Sequence, residues 1–231
     1  MPMLERPDGA LFYEVTGSGP PLVLVSGLGG RGDYWANIVP VLARAFTVVL
    51  HDHVATGRST SRRTTHSVEA LAADLDALLG HLGIARCSLV GHSTGAAVGQ
   101  VMAQDYAARL DRLVLYAGWA GPDAHFAHCF KVRRRLLTEI DDPAATEADD
   151  IAARIDMIVG FDRRARMGEI TAPTLVVCAA DDLITPPHLS EELAAGIPGA
   201  RLATLPWGGH ACSQTAPEEF LASVLPFLRG R

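Results

Sequence analysis

The chain has 231 residues, 48% of them hydrophobic and 20% charged, and a formal net charge of −6. That length and apolar share fit one large α/β domain with a sizeable core, and the acidic balance excludes a general nucleic-acid or membrane-surface binder. No apolar run reaches the length of a transmembrane helix, the N-terminal residues show no basic region followed by an apolar block, and Cys87, Cys129, Cys178 and Cys212 are widely scattered. The expectation is a cytoplasmic protein with free thiols and no membrane or nucleic-acid partner.

Strand and helix signals alternate along the chain, which predicts a mostly parallel sheet with helices on both faces. Ala10 to Val15 reads as a first strand, turned by Gly17-Ser18-Gly19-Pro20. Pro21 to Ser26 is continuously apolar, as expected of a parallel strand covered on both sides, and Gly27-Leu28-Gly29-Gly30 follows it directly. This Gly-rich loop lacks the pattern of a phosphate cradle. Tyr34 to Ala45 reads as a helix interrupted near Pro40, and Phe46 to Leu50 as the next buried strand. His51, Asp52 and His53 at its end are too thin a cluster for a metal site; Asp52 is expected to tie down the loop that follows. Ser67 is a plausible N-cap for a helix running to Leu82.

Leu89-Val90-Gly91-His92-Ser93-Thr94-Gly95 then joins a buried strand to a small-residue helix through a sharp turn, and fits the G-x-S-x-G nucleophile elbow. A serine hydroxyl is a weak nucleophile and must stand clear of the sheet to meet a base and a substrate. Gly91 and Gly95 remove side chains where strand and helix crowd the turn. The backbone N–H of Thr94, at the helix start, can face a developing oxyanion, and that of Leu28 can reach the same point from the Gly-rich loop.

Beyond the strand Leu110 to Tyr116, the segment from Ala117 to Gly168 is helical and charged. Its basic run, Lys131, Arg133, Arg134 and Arg135, reads first as a solvated helix face; the alternative is that one arginine faces a substrate carboxylate. His125 and His128 are expected to be packing or rim residues, and the acidic stretch Asp141 to Asp150 a surface turn. Strands resume at Thr174 to Ala179 and Ala200 to Leu205, with helices at His188 to Ala195 and Pro217 to Leu228. Parallel sheets carry their sites beyond the strand carboxyl ends, and three such loops supply Ser93, Asp182 and His210, in the chain order of an α/β-hydrolase triad. His210 would take the Ser93 proton and Asp182 would orient the imidazole. Asp181 rivals Asp182; Asp182 is preferred because it directly precedes the Leu183-Ile184-Thr185-Pro186 turn.

The whole chain resembles the α/β-hydrolase superfamily, in the branch of haloperoxidase-like esterases and enol-lactonases. Ser26-Gly27-Leu28-Gly29-Gly30, Tyr34-Trp35, the Ser93 elbow, Asp182-Leu183-Ile184-Thr185-Pro186 and Gly208-Gly209-His210 carry the likeness. More narrowly it resembles the RutD family of bacterial pyrimidine degradation, through His125, Cys129-Phe130, Val132-Arg133 and Arg135-Leu136-Leu137. Cys178 to Leu183, Ser190 to Leu193 and Gly208 to Cys212 extend that match. The resemblance implies a cofactor-free and metal-free serine hydrolase acting on a small C–N compound, aminoacrylate or a carbamate, in uracil catabolism. Two departures stand out: Val54-Ala55 where many relatives carry Arg-Gly, and a region 117–168 shorter than the family's helical cap. The expected architecture is therefore an α/β-hydrolase core, 1–116 and 169–231, with a reduced helical cap at 117–168. Apolar cap surface left uncovered could support a homodimer. The competing readings are a carboxylesterase or enol-lactonase, and a non-catalytic ligand-binding scaffold.

Overall fold

The computed structural model describes residues 2–63, 65–139 and 146–230. Among these, nine strands form one sheet: β1 (Met3–Arg6), β2 (Gly9–Thr16), β3 (Pro21–Val25), β4 (Thr47–His51), β5 (Thr60–Ser61), β6 (Cys87–His92), β7 (Leu110–Tyr116), β8 (Thr174–Ala179) and β9 (Arg201–Leu205). The spatial order is β1-β2-β4-β3-β6-β7-β8-β9, with β5 pairing the side of β2. β1, β2 and β5 pair antiparallel, as do β2 and β4, whereas every pairing from β4 through β3 to β9 is parallel. This is the α/β-hydrolase arrangement of a mostly parallel sheet with helices packed on it.

The continuous apolar run of β3 has the cause expected of it. Leu22 and Leu24 face one core, with Trp35, Val48, Val114 and Phe220, while Val23 and Val25 face the other, with Leu75, Leu89, Val101 and Leu113. Successive side chains of a strand point to opposite faces, so a strand covered twice must be apolar throughout. Ser67 caps α2 (Val68–His81) as expected, its hydroxyl accepting from the Ala70 N–H at 3.0 Å. The helix expected over Tyr34 to Ala45 is shorter than read. A 3-10 turn spans Gly32–Trp35, and only α1 (Val39–Leu42), with Pro40 in its first turn, is α-helical. Proline suits that first turn because its missing N–H is unpaired there anyway.

α3 (Thr94–Asp105) follows β6 directly and lies against the sheet. Between β7 and β8 the chain leaves the sheet for α4 (Ala124–Glu139) and α5 (Thr146–Gly160), which pack on each other. The acidic stretch from Asp141 lies largely outside the described residues, and from Thr146 the backbone is already helical. α6 (Pro187–Gly196), α7 (Cys212–Thr215) and α8 (Pro217–Leu228) complete the fold. Among the described residues no helix is long and apolar enough to cross a membrane, and the four cysteines are free.

Candidate active site

The elbow is built by what its glycines lack. A Cβ on Gly91 would lie 2.1 Å from the Gly95 carbonyl oxygen, and one on Gly95 would lie 2.1 Å from that of Val25. With those two side chains absent, strand and helix close around Ser93, whose backbone is forced to φ 52° and ψ −113°. A non-glycine residue held in such a conformation costs about 1–3 kcal/mol, and strain of this kind clusters at functional sites. The Ser93 N–H donates to the Tyr116 carbonyl at 2.9 Å, which ties the turn to the end of β7.

Asp182 and His210 come from the loops after β8 and β9. Their side chains meet, with Asp182 Oδ2 accepting from His210 Nδ1 at 2.9 Å. Asp182 is 1% exposed, and its Oδ1 accepts from the backbone N–H groups of Ile184 at 2.8 Å and Thr185 at 3.0 Å. Burial alone would raise its pKa. The His210 hydrogen bond and charge, with the Thr185 bonds, outweigh that and hold the carboxyl below the usual range. Because Nδ1 of His210 donates to Asp182, its Nε2 is the nitrogen left to accept a proton. Asp181, the rival from the sequence, has a different job: its carboxylate accepts from the N–H groups of Gly208 at 3.3 Å and Gly209 at 2.8 Å.

Ser93 and His210 line one cavity of about 440 Å³, with Leu28 and Tyr34 on its walls. Among the described residues, neither the Leu28 nor the Thr94 backbone N–H is taken by a backbone acceptor; Leu28 lines the cavity, while Thr94 is buried at the start of α3. The Leu28 loop is pinned from below. Gly30 N–H donates back to the Gly27 carbonyl at 2.9 Å, and His53 N–H donates to the Gly30 carbonyl at 2.7 Å. Asp52 ties the neighbouring chain as expected, accepting from Gly32 N–H at 2.8 Å and Arg58 N–H at 2.9 Å, and pairing with the Arg58 guanidinium at 2.9 Å.

His51 and His53 are buried, their rings 5.3 Å apart. Burial pushes His51 down to about 4 and His53 well below its usual value. Among the described residues no group of three or more His, Cys, Asp or Glu side chains converges as a metal site. The Val54-Ala55 departure has structural consequences. Ala55 sits at φ 58°, in the region that favours glycine, and the Val54 carbonyl accepts from Arg154 of α5, a fully buried arginine that sequence reasoning did not single out.

The residues of the basic run are all at least partly exposed but differ in what they face. Lys131 and Arg135 are exposed and Arg134 pairs with Asp156 at 2.9 Å, as a solvated face predicts. Arg133, one turn beyond Phe130, is exposed too, and lines the Ser93 cavity with it. Among the described residues Arg133 makes no ion pair, whereas the other guanidinium on that cavity, Arg31, is paired with Asp33 at 2.5 Å. His125 is exposed and does not line the cavity; its Nε2 lies 2.9 Å from the Leu183 carbonyl. Thr185, read in the sequence only as part of the turn after Asp182, places its hydroxyl 2.8 Å from Asp182 Oδ2 and 3.2 Å from His210 Nδ1.

Comparison with known proteins agrees with this architecture. The family profile for the alpha/beta hydrolase fold matches residues 20–139. "Putative carbamate hydrolase RutD" of Caulobacter sp. (strain K31) is 36% identical over 261 aligned positions, covering 96% of this chain and 97% of the relative. The protein of the same name from Azorhizobium caulinodans is 32% identical and covers 98% of each chain. Both alignments are longer than the 231 residues here, so those relatives carry residues that this chain lacks. Among solved structures, a hydrolase from Pseudomonas aeruginosa PA01 superposes with a TM-score of 0.87 at 27% identity, over 98% of this chain and 97% of that one. The enol-lactonase from Burkholderia xenovorans LB400 does so with 0.86 at 25% identity, over 99% and 100%. The chain belongs to the α/β-hydrolase family and, within it, to the group of the RutD proteins.

Proposed function

We propose that the protein is a serine hydrolase of small carboxylate-bearing C–N compounds, aminoacrylate or its carbamate, serving pyrimidine degradation. The observation that carries this reading is one cavity lined by Ser93, His210 and Arg133, which makes no ion pair among the described residues. A guanidinium is a planar fork suited to a carboxylate, and it would hold such a substrate by the end away from the bond to be broken. The name shared by the RutD relatives supports the same substrate class.

In this reading His210 Nε2 takes the Ser93 hydroxyl proton as Oγ adds to the substrate's electrophilic carbon. With the carbamate, negative charge forms on the carbonyl oxygen and would be met by the Leu28 and Thr94 N–H groups, each worth about 3 kcal/mol in the transition state; with aminoacrylate it forms on C2 and spreads into the carboxylate that Arg133 would face. The nitrogen leaves with the proton returned by His210, and water repeats the sequence to release Ser93. Asp182 keeps the imidazole in the tautomer that this requires. The test is hydrolysis of 3-aminoacrylate and of its N-carboxy form, generated in situ, against the spontaneous rate. Wild type is expected to exceed background and Ser93→Ala to fall to it. A rate that survives Ser93→Ala retains the substrate and rejects the covalent step.

A second reading, an esterase or enol-lactonase, draws on the enol-lactonase neighbour. The same residues serve either leaving group, and turnover of short esters or enol-lactones without turnover of the C–N compounds selects it.

A further inference from the structure

His210 is held from two sides. Its side chain is bound by Asp182, and its main-chain carbonyl accepts two further bonds, from His92 Nε2 at 2.8 Å and from the Tyr116 hydroxyl at 2.9 Å. A carbonyl can only accept, so His92 must carry its proton on Nε2. His92 is also buried, and its Nδ1 is enclosed with no partner. Its ring stacks on Tyr34, centroids 4.6 Å apart and planes 5° from parallel, and sits 4.6 Å from Tyr116. The two phenols form a directed chain with the loop beyond: Ser213 Oγ donates to Tyr34 at 3.0 Å, the two hydroxyls are 3.4 Å apart, and Tyr116 donates onward to His210. Burial, the main cause, raises both phenols, Tyr34 to about 12, so they stay protonated donors.

The loop so clamped has reason to need it. Gly208 and Gly209 just before His210 have φ of 124° and 60°, a conformation with little preference of its own. His92 directly precedes Ser93, whose own backbone is fixed by the elbow. We infer that His92 is a positioning residue, a neutral imidazole that ties the His210 main chain to the elbow so that nucleophile and base keep one register. This rests on the reading of Ser93 and His210 as nucleophile and base. The contact goes beyond that reading, because it explains why an imidazole stands before the serine.

The experiment compares His92→Phe and His92→Gln with wild type, using p-nitrophenyl acetate turnover and thermal unfolding. Phenylalanine keeps the stacking on Tyr34 and removes the donor; glutamine restores a donor near the position of Nε2. His92→Phe is expected to lose about 10–100-fold in kcat with KM within about twofold, since small misplacements of reacting groups cost that much. His92→Gln should recover most of the loss. Imidazole nitrogen NMR of the unsubstituted protein should find the His92 ring neutral, with the proton on Nε2, and this result does not depend on either variant folding. Full activity in His92→Phe, equal damage in both variants, or a proton on Nδ1 would overturn the inference. The triad reading is judged separately by Ser93→Ala: activity retained there defeats that reading, while the NMR result still decides the contact.

Discussion

Asp181 and Asp182 are neighbours in the chain and bind neighbouring residues of the histidine loop, one by its backbone and the other by its side chain. Asp182 accepts from His210 Nδ1 at 2.9 Å, and Asp181 accepts from the Gly209 N–H at 2.8 Å. One orients the imidazole and the other shapes the backbone that carries it. Asp182→Asn should therefore drop kcat by about 10⁴-fold, because the amide favours the wrong imidazole tautomer. Asp181→Asn should lower kcat far less and appear mainly as a stability loss of about 1 kcal/mol from weakened bonds to two N–H groups. Steady-state kinetics and urea unfolding of the two variants make the comparison; equal kinetic losses would mean that the two carboxylates are not divided in this way.

Ser93 at φ 52° and ψ −113° stores strain that the native contacts hold in place. Ser93→Ala and Ser93→Gly both remove the hydroxyl, but only glycine relieves the backbone. Both are expected to be inactive, with Ser93→Gly more stable than Ser93→Ala by about 1 kcal/mol, the relief of strain less the entropy that glycine adds to the unfolded chain. Chemical denaturation of the pair reads this directly, and equal midpoints would mean that the elbow is unstrained.

What was legible in the sequence follows from these constraints. β3 and the Ser93 elbow could be read because burial on both faces and crowding between strand and helix leave few residue choices: Val and Leu in the first, Gly91 and Gly95 in the second. β1 could not be read, because Met3–Arg6 is a half-buried edge strand with Glu5 and Arg6 in it and carries no apolar pattern. Arg133 was one of several equivalent basic residues until the rotation of α4 about its axis turned it, and not Lys131 or Arg134, to the cavity. The His92 contact joins residues 118 positions apart, and no local pattern encodes such a pairing. The fold and the three candidate site residues Ser93, Asp182 and His210 were thus legible in local chemistry, while the contacts that support them depend on tertiary packing.

If Arg133, which makes no ion pair among the described residues, faces a substrate carboxylate as proposed, the cavity has a charge preference that esters can report. p-Nitrophenyl hemisuccinate and p-nitrophenyl butyrate differ chiefly in a terminal carboxylate. Wild type should prefer the hemisuccinate, and Arg133→Gln should reduce the ratio of the two kcat/KM values by about 10–100-fold, as loss of a charge-assisted bond predicts. Raising salt should shrink the wild-type preference, since Arg133 is exposed and its charge is screened. A ratio unchanged by the substitution would remove Arg133 from substrate recognition.

His51 is buried and neutral, its pKa pushed down from 6.5 to about 4 by burial, against the opposing charges of Asp52 and Asp74. The unfolded chain therefore binds a proton at this residue in a pH range where the folded chain does not, and stability falls as pH falls through that window. The sign is that of a base with a depressed folded pKa: the native state is fully favoured above pH 6.5, loses ground between 6.5 and about 4, and loses no more from this group below that. The full difference corresponds to about 3 kcal/mol. Urea midpoints measured from pH 7.5 to 4 should slope downward in wild type and more gently in His51→Gln, whose side chain cannot take up the proton. His53 lies beside His51 with its pKa also lowered by burial, so the variant should flatten the profile without levelling it. Parallel profiles for the two proteins would mean that His51 is protonated or solvated in the folded state.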